Sequence, residues 1–341
     1  MKNYDVIVVG AGSAGLGNSG VANALGLKTV LIEKDADHFG GDCTNYGCVP
    51  SKAIIHIAKH FSEARLAQNF GLKVEGKAEM SKVLDYIHEK QKEIRDEENA
   101  EALRNQGYEV VIGEAKLTGK NTIEVNGEQL KAKVILLCTG SKPKMIDIPG
   151  ADSTTIYTNE SLFFQCKTLP EYFTVIGGGP IGCEMAQAFA RLGSKVTIVT
   201  RGERLLSKEQ PKVSEILKTC FEKEGIEVIC NATVSAFKAS QVIVDLGSGE
   251  QKSIPSSAAL MAIGRTVNIS NLGLEEAGVE LTSNGKIKVD EYLRTSNKNV
   301  YAIGDAAGTY MLSHGAEKMV RLLWRNLLIP LFKKKNSTED L

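Results

Sequence analysis

One pattern occurs twice in this chain, and it fixes most of what the chain can fold into. Tyr4 to Val9 reads YDVIVV, a short β-rich apolar run that enters GAGSAG, with Gly10, Gly12 and Gly15 in G-x-G-x-x-G spacing. A helix-like segment to Leu25 and a second apolar strand, TVLIE, ending at Glu33, complete the unit. In such a unit the first glycine makes the turn, the second lets a pyrophosphate approach the backbone, and the third packs helix on strand. The helix N-terminus then faces the phosphates. Glu33 falls 18 residues after Gly15, where an acid can accept both ribose hydroxyls. The second copy begins at Tyr172 to Ile176, continues through Gly177, Gly179 and Gly182 into CEMAQAFARLG, and ends in the strand KVTIVT. The same count of 18 from Gly182 lands on Thr200, followed by Arg201 and Arg204. An acid there would repel a 2′-phosphate and arginine would attract one. The first unit therefore suits an unphosphorylated ribose and the second a phosphorylated one; two solvated loop arginines are the alternative.

Phe39 to Lys52, FGGDCTNYGCVPSK, is the other organising stretch. Positions i and i+5 of a regular helix lie about 7.5 Å apart by rise alone, beyond the Cα separation that a disulfide allows. If Cys43 and Cys48 bond, the backbone between them must bulge, and Asn45 and Gly47 tolerate that. A bent bond of this kind is easier to reduce than a structural one. The run after Pro50 is apolar at 54, 55, 57, 58 and 61 and reads as a buried helix. Cys48 then lies near a helix N-terminus, where N–H groups favour a thiolate. Two unrelated buried cysteines are the bland alternative.

At 341 residues the chain can hold two ordinary domains. Lys plus Arg balances Asp plus Glu, 41 against 41, so no basic field argues for nucleic acid. The other cysteines, at 138, 166, 183, 220 and 230, fit reduced core thiols in a reducing compartment. No signal-peptide order or membrane span is present, and cytoplasm is the expectation.

Elsewhere the pattern predicts one polar helix from Met80 to Asn105 and β-runs at 108–112, 122–125 and 133–137, with a hairpin turn at Asn126-Gly127. These end at Cys138-Thr139-Gly140-Ser141, near a domain boundary. Further β-runs are expected at 226–230, 242–246 and 258–263, the last ending at Gly264. Val300 to Ile303 runs into Gly304-Asp305, read as a cofactor contact or an N-cap, with Ala306 to Gly308 opening the next helix. The chain closes on a docked helix to Pro330 and a disordered polar tail; a membrane-surface helix is the alternative. His56 and His60, four apart on a helix, have the spacing to face one metal, but read as ordinary helix residues, and no metal is expected.

Two dinucleotide units joined by a CxxxxC pair resemble the pyridine nucleotide–disulfide oxidoreductases, which include glutathione reductase, dihydrolipoyl dehydrogenase and mercuric reductase. The motifs are GAGSAG with Glu33, GGDCTNYGCVPSK, CTGSKP, GGGPIGCE, AIGR and YAIGDAAG. The cysteine motif is most similar to the mercuric-reductase-like branch. That resemblance implies an α/β fold with two Rossmann-like domains: an FAD domain from 1–150 and 268–341, with an NAD(P) domain inserted at 151–267. It implies FAD along Gly10, Gly12, Gly15, Glu33, Lys34, Gly41, Thr139, Gly140, Gly304 and Asp305. It places the nicotinamide cofactor, NADPH favoured, along Gly177, Gly179, Gly182, Arg201 and Gly264. Cys43 and Cys48 become a redox disulfide, with Cys48 against the flavin and Cys43 attacking the substrate. Lys52 pairs with Glu184 beside flavin N5, which makes these four the catalytic candidates.

The implied path runs by hydride from NADPH to FAD, then to the cysteine pair, and on to a small-molecule disulfide or Hg(II). Family members continue into an interface domain that supplies a His–Glu pair and dimer contacts. This sequence stops before it, so a homodimer is expected only where that domain is present. His314 is expected to have a packing role and not to be a base. Two other readings follow: a truncated flavin-binding protein with only diaphorase activity, or an NADH-dependent dihydrolipoyl dehydrogenase, against which Thr200 argues.

Overall fold

A computed structural model of the chain describes residues 1–309 and 311–337. The chain forms two compact units, one of residues 1–45, 92–142 and 266–341, the other of residues 46–91 and 143–265. The expected cofactor domains follow the same alternation but assign 46–91 to the first domain. In packing terms that segment belongs with the second unit. The reason is the buried stripe of helix Cys48–Ala67, Ala53, Ile54 and Ala58, which shares a core with helix Pro180–Leu192.

The first unit is built on a mixed seven-stranded sheet. Lys2–Val9 lies between Thr29–Glu33 and Glu128–Leu137, parallel to both. Glu109–Ile112 extends one side and Val300–Ala302 pairs with Glu128–Leu137, again in parallel. Strands with both faces covered are continuous apolar runs, and Ile7 and Val8 are fully buried. The predicted turn at Asn126-Gly127 joins antiparallel strands Thr122–Val125 and Glu128–Leu137. Both turn residues have positive φ, 53° and 78°, as a two-residue type I′ hairpin requires. Helix Ser13–Ala24 packs on helix Ser313–Leu328, and Trp324 Nε1 donates to the buried Asn18 Oδ1 at 2.9 Å.

The second unit repeats the theme with a five-stranded parallel sheet in the order Glu227–Ile229, Lys195–Val199, Tyr172–Ile176, Ala258–Met261, Thr155–Tyr157. A three-stranded antiparallel sheet, Ala232–Lys238, Gln241–Leu246 and Gln251–Pro255, is appended to it.

Several expectations need correction. The polar helix is two helices, Met80–Glu98 and Ala100–Asn105, because Asn99 turns extended and its Oδ1 accepts the Ala102 N–H at 2.9 Å. Strand Lys116–Gly119 has no counterpart in the sequence pattern; only Leu117 in it is buried, so it leaves almost no periodic signal. Gly304–Ala307 is a single 3-10 turn, and the following helix begins only at Ser313. The expected disordered tail is tied down over 333–337: Asn326 Oδ1 accepts the Lys334 N–H at 2.8 Å, and the Glu291 carbonyl accepts the Asn336 N–H at 2.7 Å. The end of the tail, 338–341, lies outside the described residues. Among the described residues no helix is long and apolar enough to cross a membrane.

Candidate functional site

The sequence-predicted residues fall into two sets, one in each unit. In the first, Gly10 to Gly15 link strand Lys2–Val9 to helix Ser13–Ala24. A Cβ on Gly10 would lie 2.4 Å from the Cys138 carbonyl oxygen, and one on Gly15 only 1.7 Å from the Gly10 carbonyl oxygen. The protein's own backbone demands glycine at both. Gly12 is different: its nearest neighbour is the Gly41 Cα at 3.5 Å, an ordinary contact. Gly12 also caps the helix with no side-chain hydrogen bond, leaving the N-terminal N–H groups for another partner.

The repeat copies this arrangement. Cβ atoms on Gly177 and Gly182 would meet carbonyl oxygens at 2.2 Å, whereas one on Gly179 meets nothing within 4 Å. Gly179 likewise caps helix Pro180–Leu192 without a side-chain bond. In each unit the middle glycine leaves the backbone over a helix N-terminus without a clash, so the residues of both units fit the pyrophosphate of a dinucleotide.

Around the first glycine turn the chain adds braces that the sequence did not disclose. Gly40 bridges Gly12 in parallel and donates its N–H to the Ala11 carbonyl at 3.0 Å, which brings the start of the cysteine motif onto the glycine turn. Asn45 donates to the carbonyls of Phe39 and Gly41, at 3.0 and 2.8 Å, and its Oδ1 accepts from Arg95 Nε at 2.8 Å. Glu33 is buried, and its Oε2 accepts the Ala11 N–H at 2.6 Å; Lys34 beside it is exposed. Nearby, burial and the Glu97 charge hold the Glu98 carboxyl above the usual carboxylate range.

Thr139 and Gly140 are stapled to Asn268 by three bonds of 2.7, 3.0 and 3.1 Å. The Ser141 hydroxyl donates to the Asp305 carboxylate. Asp305 is therefore held by a side chain and does not act as an N-cap, its turn being capped at Ile303. Gly304 is buried, its N–H directed at the Met319 sulfur at 3.3 Å. His314 stands exposed in the first turn of its helix.

Cys43 lies half-buried in the short helix Gly41–Asn45, in the first unit, and Cys48 is exposed as the first residue of helix Cys48–Ala67, in the second. Gly47, at φ −119° and ψ −111°, breaks the helix between them. One turn past Cys48, Lys52 Nζ donates to both Glu184 carboxylate oxygens, at 2.7 and 2.8 Å. The pair is solvent-accessible and contributes little to stability.

In the repeat, Thr200 follows strand Lys195–Val199 and is buried, with Oγ1 accepting the Gly202 N–H at 3.3 Å. Arg201 is exposed. Arg204 is committed to its own loop, donating to the carbonyls of Glu209 and Ser207 at 3.0 and 2.8 Å, so of the two arginines only Arg201 keeps its fork for a ligand. Gly264 has φ 121°, and a Cβ placed on it would meet nothing within 4 Å.

Burial separates three of the other thiols from this pair. It pushes Cys138 and Cys183 up to about 12 and Cys166 up to about 11. After reduction, iodoacetamide should therefore label Cys43, Cys48 and the exposed Cys220 on the folded chain. Cys138, Cys166 and Cys183 should react about a thousandfold more slowly. Peptide mapping checks this, and labelling of Cys138 at the rate of Cys220 would contradict it.

Comparison with known proteins gives matches over nearly the whole chain. A family model described as pyridine nucleotide-disulphide oxidoreductase matches residues 4–319. A mercuric reductase of Bacillus cereus is 33% identical over 339 residues, covering 98% of this chain and 53% of the relative. A dihydrolipoyl dehydrogenase of Chlorobaculum tepidum is 38% identical over 324 residues, covering 92% and 68%. Among solved structures, the Cu(II) complex of the HOCl-induced flavoprotein disulfide reductase RclA from Escherichia coli matches with a TM-score of 0.84 and 26% identity. That match covers all of this chain and 74% of the other. The chain thus spans about half the length of the mercuric reductase it matches.

Proposed function

We propose that this chain, which belongs to the pyridine nucleotide-disulphide oxidoreductase family, carries the electron-transfer half-sites of an FAD-dependent NAD(P)H:disulfide oxidoreductase. The observation that carries the reading is the pair of middle glycines, Gly12 and Gly179, where an added Cβ meets no backbone clash, each over a helix N-terminus with no side-chain cap. Bound FAD would supply the chemistry that turns a hydride from NADPH into two electrons for a disulfide.

The chain's own residues do the rest. Glu33, oriented by the Ala11 N–H, accepts ribose hydroxyls, and Asp305, held by Ser141, takes the polar chain of the cofactor. At the second site Gly177, Gly179 and Gly182 cradle the nicotinamide dinucleotide. Cys48, first in its helix, is favoured as a thiolate by the N-terminal N–H groups and by the Lys52 ammonium. Glu184 holds that ammonium in place through two bonds. Cys43 is the thiol that meets the substrate. The net reaction consumes NADPH, a proton and a disulfide and yields two thiols and NADP⁺; with Hg(II) the two electrons reduce the metal instead.

Resemblance to the mercuric reductases favours Hg(II) or a small disulfide as substrate. The FAD-loaded chain should oxidise NADPH in the presence of one or the other. Bound FAD with turnover of dyes alone would leave only a diaphorase.

Thr200 in place of an acid, with Arg201 free to fork a phosphate, favours NADPH. Arg201→Ala should lower kcat/KM for NADPH about tenfold or more, the worth of a charge-assisted bond, and leave the NADH value unchanged. A parent enzyme that prefers NADH would instead support the dihydrolipoyl dehydrogenase reading.

A further inference from the structure

We infer that His56 and His60 form a two-imidazole chelate for one divalent transition-metal ion of the imidazole-preferring class, copper(II), nickel(II) or zinc(II). Both residues are exposed, four apart on helix Cys48–Ala67, and their Nε2 atoms lie 3.2 Å apart. Metal–imidazole bonds of about 2.0–2.1 Å put two ligand nitrogens about 2.9 Å apart at a right angle and about 3.3 Å apart at the tetrahedral angle. The observed separation falls inside that span, so an ion can enter with little movement of either ring.

Each ring also has a neighbour besides the other. Glu63 Oε2 lies 3.6 Å from His60 Nδ1, so a carboxylate stands near the ring nitrogen that the ion would not take. His56 stacks on Tyr86, with ring centroids 6.1 Å apart and planes within 18°, and meets the His60 ring in a T-shaped contact, centroids 4.6 Å apart. Without an ion, one shared proton between the two nitrogens accounts for the contact. With one, both nitrogens act as acceptors and solvent completes the coordination. Nothing in the proposed electron path uses either histidine.

The test is calorimetric titration of Ni(II) into the full chain after its accessible thiols have been alkylated. One site per chain is expected. His56→Gln and His60→Gln should each weaken it by about tenfold or more, and the double variant little further, because a chelate is lost once either arm goes. Circular dichroism establishes that the variants are folded. On the unsubstituted chain, bound Ni(II) should shield His56 and His60, but not the exposed His314, from diethylpyrocarbonate. Single variants that bind Ni(II) as tightly as the parent, or equal modification of all three histidines with and without Ni(II), would overturn the assignment.

Discussion

Cys43→Ser should cut turnover of a disulfide substrate by about a thousandfold or more, as loss of a nucleophile commonly does, while reduction of artificial dyes by NADPH persists. The two cysteines sit in different helical contexts. Cys43 belongs to a short helix, and Cys48 opens a long one after the break at Gly47. Only Cys48 has, one turn on in its own helix, the Lys52 ammonium fixed by Glu184. The proposed roles differ accordingly: Cys48 would exchange electrons with the cofactor and Cys43 with the substrate. Cys48→Ser should abolish disulfide turnover equally. It alone should remove the long-wavelength absorption expected of a thiolate lying against a flavin. Steady-state kinetics with a disulfide, beside a dye assay and an anaerobic spectrum, separate the two. Disulfide turnover surviving in either variant would contradict the assignment.

The second large effect concerns glycine. Gly12→Ala places a methyl group in ordinary van der Waals contact with the Gly41 Cα, 3.5 Å away, so the chain should fold with its melting temperature nearly unchanged and FAD affinity lowered about a hundredfold. Gly15→Ala drives a methyl group to 1.7 Å from the Gly10 carbonyl oxygen. That clash is with backbone and has no rotamer to relieve it, so a cost of about 3 kcal/mol or more is expected, a fall in Tm of roughly 6 °C or beyond. Thermal melts of the two variants, with and without added FAD, check both halves. A Gly12→Ala protein that binds FAD as well as the parent would remove the reason for placing the pyrophosphate there. The same contrast should hold between Gly179 and Gly182 for the nicotinamide dinucleotide.

The alternation of glycine turn, helix and strand carried both sheets in the sequence, because period and spacing encode parallel units directly. Glu33 and Thr200 stand where the count from the third glycine put them, each at the end of a parallel strand. The pairing of Lys52 with Glu184 was legible only through family resemblance, since 132 residues separate them. The braces were not legible. Arg95 sits on a polar helix whose pattern gives no hint that one guanidinium turns in to Asn45. Ser141 and Asn268 lie in segments without periodicity, and their bonds to Asp305 and Thr139 depend on how distant strands are brought together. Arg204 also follows the strand, but the loop turns two carbonyls onto it, a commitment that the sequence does not show.

The most direct measurement is anaerobic titration of the FAD-loaded chain with NADPH, followed by absorbance and by a count of thiols at each stage. A redox path through positions 43 and 48 requires uptake of electrons beyond the two that the flavin alone can hold. Two new thiols should appear, mapped to Cys43 and Cys48, and long-wavelength absorbance should rise with them. A flavin that bleaches fully with one equivalent of NADPH, with no thiol gained at either position, would contradict it.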